Sequence, residues 1–136
     1  MKYIISFPAL AIVIAAYLLM AAGGDMLIDG DAYSMTLASG AEMTLRGGDV
    51  FVIAGLFALF LEMLKAARQG RAAVLDHVLS VGTFVVALVA FLLVDYAGTA
   101  PFLILTLMTL VDVIAGFAIS LFSARRGLAI DTDRSA

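Results

Sequence analysis

The chain has 136 residues, 64% of them hydrophobic and 14% charged, with a mean hydropathy of +1.13 and a formal net charge of -3. A soluble domain of this length has too little interior for so much apolar surface, because ordinary domains are about half apolar and about a quarter charged, so the composition selects a membrane protein. Cysteine is absent, which excludes disulfides, thiolate metal sites and thiol nucleophiles.

Residues 3–22 are an apolar run behind Lys2, interrupted only by Ser6 and Pro8. A secretory signal is the rival reading, since Met20-Ala21-Ala22-Gly23 offers small residues for cleavage. Signal cores run only about 7–15 residues, so the length favours a first transmembrane helix. Pro8 falls near its start, where a missing N–H is tolerated.

Residues 23–49 are the main polar segment. Within them Tyr33, Met35 and Leu37 alternate with Ser34, Thr36 and Ala38, and Met43 and Leu45 alternate with Glu42, Thr44 and Arg46. Ser39-Gly40 lies between. Period-two patterning on both sides of a glycine-containing turn predicts a β-hairpin over residues 32–46. Its apolar face, Tyr33, Met35, Leu37, Met43 and Leu45, is a candidate interaction surface, because a lone two-stranded hairpin is marginal in water. Gly-Gly-Asp recurs at 23–25 and 47–49, read as a flexible exit and an aspartate cap ahead of Val50.

Three more helices follow, over residues 50–67, 77–94 and 100–123. The first carries Glu62, with Lys65, Arg68 and Arg71 behind it; Asp76 reads as the cap of the second. In that helix His77, Ser80, Thr83, Ala87 and Ala90 form one stripe of small and polar residues. The last begins near Pro101 and repeats the pattern with Thr109, Asp112, Gly116, Ser120 and Ser123. Residues 1–127 thus read as one transmembrane domain. Gly127 closes the last helix, and residues 128–136 are polar enough for a flexible cytoplasmic tail.

Orientation follows from the distribution of Lys and Arg. Seven of the eight (Lys2, Lys65, Arg68, Arg71, Arg125, Arg126 and Arg134) fall on one side, and only Arg46 lies in the hairpin segment. That places both termini in the cytoplasm and the hairpin outside. Lys65, Arg68, Arg71, Arg125 and Arg126 read as headgroup contacts with membrane lipids, not as nucleic-acid readers.

Asp112 sits near the middle of an apolar helix, where a carboxylate facing lipid costs at least about 3 kcal/mol, so it should face protein or water. Glu62, His77, Thr83 and Thr109 join it as a candidate intramembrane polar site. Glu62 has Lys65 three residues on and is expected to pair with it. Asp112 has no local cation. It is either a structural hydrogen bonder to Thr83, Thr109 or backbone, or a group that handles protons, cations or a ligand. Glu62, His77 and Asp112 match no metal-ligand spacing. No phosphate loop, nucleophile elbow or paired catalytic carboxylates appear, so neither cofactor nor enzymatic activity is expected.

Ser39-Gly40-Ala41-Glu42, Glu62-Met63-Leu64-Lys65-Ala66, Asp76-His77 and Leu110-Val111-Asp112-Val113 through Ala124-Arg125-Arg126 resemble a family of small four-helix bacterial inner-membrane proteins. The resemblance implies a four-helix membrane bundle and carries no activity with it. The layout alone is claudin-like, but the tryptophan-rich, disulfide-bonded loop of those proteins has no counterpart in a chain without Trp or Cys. Taken together, the residues predict an all-α bundle of four transmembrane helices with an extracytoplasmic β-hairpin between the first two. The expected function is a non-enzymatic inner-membrane assembly subunit, bound to its own copies or to another membrane protein. The alternative is a small proton- or cation-coupled transporter or channel using Asp112 in an oligomer.

Overall fold

The computed structural model describes residues 7–24, 26–68 and 73–134. The fold is mostly helical: α1 (Ala9–Ala22), the single turn α2 (Met26–Asp29), strands β1 (Asp31–Thr36) and β2 (Glu42–Arg46), then α3 (Gly47–Arg68), α4 (Ala73–Leu93) and α5 (Ala100–Arg134). A 3-10 turn over Asp95–Ala97 joins the last two. Among the described residues, three helices are long and apolar enough to cross a membrane, and α1 is a shorter apolar helix. Helix α5 packs against both α3 and α4, while α1 lies mainly on α3 and touches α4 and α5 more lightly.

The hairpin forms where the alternation requires it. Tyr33 pairs with Leu45 and Met35 with Met43, so these four share a face, and Gly40 turns the chain with a φ of +84°. The ladder is irregular between Asp31 and Tyr33.

Small residues set how closely the helices approach. Ala87 and Ala90 of α4 are buried, and Gly55 of α3 sits where an added Cβ would collide with the Leu105 side chain of α5. Such residues let apolar helices touch along their backbones. The outer faces are unusually apolar: Leu56, Phe57, Phe60, Val86, Leu92 and Phe117 are all exposed, whereas Glu62, Asp76, Ser80 and Asp112 are buried.

Several boundaries differ from the sequence expectation, each for a local reason. Phe7 and Pro8 are not helical; Pro8 holds the N-cap in extended conformation, and residues 3–6 of the expected first helix lie outside the described residues. Helix α3 starts at Gly47, three residues early, because Asp49 caps from inside its first turn, accepting the Arg46 backbone N–H at 2.9 Å. Helix α4 starts at Ala73, so Asp76 lies within the first turn and is not the cap. Gly127 adopts no left-handed conformation, and α5 continues to Arg134 through the segment expected to be a flexible tail.

Candidate functional site

At the end of the bundle away from the hairpin, α3, α4 and α5 turn their polar residues toward one another. Glu62 is only 2% exposed, and its carboxylate has two partners. One oxygen accepts the backbone N–H of Ala9, and the other lies 3.2 Å from the Lys65 ammonium. Ala9 opens α1, whose N-cap Pro8 has no side-chain oxygen to offer. The first N–H groups of a helix lack internal acceptors and carry partial positive charge. Glu62 therefore caps α1 from a neighbouring helix. Lys65 reinforces the seam by donating to the Phe7 carbonyl at 3.5 Å.

Lys65 also reaches Asp76 on α4, 3.6 Å from Oδ1. Beyond it a cavity of about 30 Å³ is lined by Glu62, Asp76, His77, Ser80, Asp112 and Gly116, with Ser120 toward the helix end. Ser80 hydrogen-bonds the Asp112 carboxyl, and Asp76, Lys65 and His77 all lie close enough to act on it electrostatically. Among the described residues, the buried His77 Nδ1 has no hydrogen-bond partner, and Asp76 Oδ1 has only the Lys65 ion pair. Gly116 makes the imidazole's position possible, since a Cβ there would sit 2.8 Å from His77 Nδ1. The three carboxyls and one imidazole thus line a space of molecular size, with the Lys65 ammonium beside Glu62 and Asp76.

The α4 and α5 stripes do meet, as their spacing implies, but not every candidate joins the site. Thr83 is half-buried, bonds the Leu79 carbonyl at 2.9 Å, and faces an apolar groove between α1 and α4. Thr109 is buried but donates to the Thr106 carbonyl at 2.6 Å and does not line the cavity. The partner of Asp112 is therefore Ser80, in place of either threonine. Lys65, expected at lipid headgroups, is only 20% exposed at its side chain and points inward. Its neighbour Glu62 draws it there. Arg125 and Arg126 are exposed. Arg71 and the Arg68 side chain lie outside the described residues. Asp76 and Ser80 were missed as site members; Ser80's place in the stripe was the available signal.

No protein-family model, curated protein or solved structure matches this chain. Among the described residues, no three of His, Asp and Glu converge closely enough to hold a metal ion.

The second candidate surface is the hairpin. Tyr33, Met35, Leu37 and Met43 are exposed by 59, 43, 41 and 38%, and Leu45 is half-buried. Strand β1 is exposed along its whole length. The apolar face anticipated from the alternation exists, and the chain's own helices leave it largely uncovered.

Proposed function

We propose that this chain is an integral inner-membrane protein of bacterial type with four helical spans, its hairpin outside and both termini cytoplasmic, acting as a non-enzymatic assembly subunit. The observation that carries this reading is the uncovered apolar hairpin face, Tyr33 with Leu45 and Met35 with Met43. A soluble-facing surface of that kind normally meets a partner. The partner is a second copy or another membrane protein. The apolar outer faces of α3, α4 and α5 support the membrane placement, and Arg125 and Arg126 at one end against Arg46 at the other support the orientation. Helix α1, with 14 residues, covers about 21 Å, less than a hydrocarbon core of about 30 Å. The Glu62 cap explains how so short a span begins inside the bundle.

The alternative, a proton- or cation-coupled transporter or channel, draws on the Asp112 cavity. Against a path through a single chain stands the hairpin-side core, where Tyr17, Phe102 and Leu105 are fully buried. The experiment on the preferred reading joins two substitutions, Met35→Asp with Leu45→Asp. Oligomer or complex size in mild detergent should fall while helicity is retained; unchanged size would remove the hairpin from assembly. Orientation is checked with a reporter active only outside the cytoplasm. Signal is expected within residues 30–42 and at Gly98, and none at Gly70 or Ala136.

A further inference from the structure

We propose that β1 pairs edge to edge with β1 of a second copy, joining their two-stranded hairpins into one continuous antiparallel sheet centred on Met35. This rests on the assembly reading and deepens it, naming the partner as a second copy of this chain and the contact as a strand edge.

A strand edge presents a row of unpaired N–H and C=O groups, which natural sheets shield with charge, proline or a covering element. The sheet has two strands, so each has an outer edge. That of β1 lacks these shields. Residues 32–38, Ala-Tyr-Ser-Met-Thr-Leu-Ala, contain no charge, no Pro and no Gly. Strand β1 is exposed along its length and, among the described residues, packs mainly on β2 with a lighter contact to α3. Strand β2 differs. Glu42 and Arg46 put a charge at each end, the Arg46 N–H is already donated to Asp49, and α3 begins at the next residue. Its outer edge is closed at one end; that of β1 is open.

Hydrogen bonding at the turn fixes which groups the open edge offers. Leu37 donates its N–H to the Ala41 carbonyl and accepts the Gly40 N–H, so its polar groups point into the hairpin. Alternation along the strand then turns the N–H and C=O of Tyr33 and Met35 toward β2 and those of Ser34 and Thr36 outward.

The side chains select the register. Directly opposed residues of an antiparallel pair share a face, and a slip of one residue would set apolar positions against polar ones. A centre at Met35 pairs all of Tyr33, Met35 and Leu37. Tyr33 then lies opposite Leu37 of the second copy, Met35 opposite its own counterpart, and Ser34 opposite Thr36. Ser34 and Thr36 exchange about four backbone hydrogen bonds across the two-fold axis. The two Asp31 carboxylates fall at opposite ends, beyond the ladder irregularity between Asp31 and Tyr33, so no like charges face each other. The contact is isologous and closed, as a two-fold dimer requires. It also gives each hairpin the further strands that a lone one lacks.

The test exploits the absence of cysteine from the chain. Single cysteines are placed in the full chain, and native membranes are treated with a mild oxidant. Opposed residues of a non-hydrogen-bonded antiparallel pair have Cα atoms about 4.5 Å apart, within disulfide reach. Met35→Cys should therefore give a disulfide-linked dimer as its main species. Ser34→Cys and Thr36→Cys, also exposed but offset from the axis along the strand, should give little. Copies carrying Tyr33→Cys mixed with copies carrying Leu37→Cys should give mixed dimers. Ser34→Pro removes an outward N–H while sparing the bonds to β2, and should lower oligomer size in mild detergent with helicity retained. Dimers formed as readily by Ser34→Cys as by Met35→Cys would overturn the proposal. So would a Thr44→Cys dimer with Met35→Cys unlinked, which would move the contact to β2. If Ser34→Pro leaves size unchanged while Met35→Asp with Leu45→Asp lowers it, edge pairing falls and the assembly reading stands on the hairpin face. If neither lowers it, both fall.

Discussion

The two ends of the bundle solve the same packing problem with opposite chemistry. Near the hairpin, Tyr17 is fully buried between Phe51, edge-on at 5.3 Å, and Phe102 at 5.1 Å, and its hydroxyl meets Thr99 Oγ1 at 2.5 Å. That is a buried aromatic knot with its one polar atom satisfied. At the opposite end the same helices are held by Glu62, Lys65 and Asp76, and they leave a polar cavity. Aromatic packing gives stability through area and shape. Buried charge gives it only when every partner is present, because removing one leaves another stranded. One end should therefore respond to lost volume and the other to lost partners.

The largest effect is expected from Tyr17→Ala. Deleting a buried ring should cost about 3–5 kcal/mol, read as the midpoint of unfolding by denaturing detergent. Tyr17→Phe keeps the ring and removes the Thr99 bond, so it should cost only about 1 kcal/mol. Equal costs for the two would mean that the hydrogen bond, not packing, holds the hairpin end.

Glu62→Ala comes next, at about 3 kcal/mol, because it uncaps α1 and leaves Lys65 with only the longer contacts to Asp76 and the Phe7 carbonyl among the described residues. The sharper measurement is the double variant Glu62→Ala with Lys65→Met, which should recover part of that loss if the stranded ammonium is the cause. No recovery would transfer the whole effect to the α1 cap.

Gly116→Ala should cost about 1–3 kcal/mol by crowding the imidazole, and NMR of the single histidine should show a displaced His77 resonance. An unchanged resonance would show that α4 and α5 give way instead. The smallest change is Thr83→Ala, within about 0.5 kcal/mol, because Thr83 bonds its own helix beside the groove and takes no part in the cluster. A loss comparable to that of Glu62→Ala would extend the polar end beyond the cavity described here.

Local periodicity was enough to reveal the apolar helices, the hairpin with its face of Tyr33, Met35, Met43 and Leu45, and the two polar stripes. Helix and strand repeats place side chains on faces whatever the rest of the chain does. The same locality made Glu62 with Lys65 legible, three residues apart on one helix. What the stripes touch was not legible. Asp112 has Ser80, not Thr83 or Thr109, because the rotation and depth of α4 against α5 depend on close approaches such as Gly116 under His77. Lys65 looked like a headgroup contact until Asp76 was brought across from another helix to meet it. The cap on α1 joins residues 53 positions apart, and the Tyr17 bond joins residues 82 apart. Repeats within one element carry no information about such pairs. They are decided when the helices pack, because a buried donor or carboxylate must find its partner wherever the fold brings one.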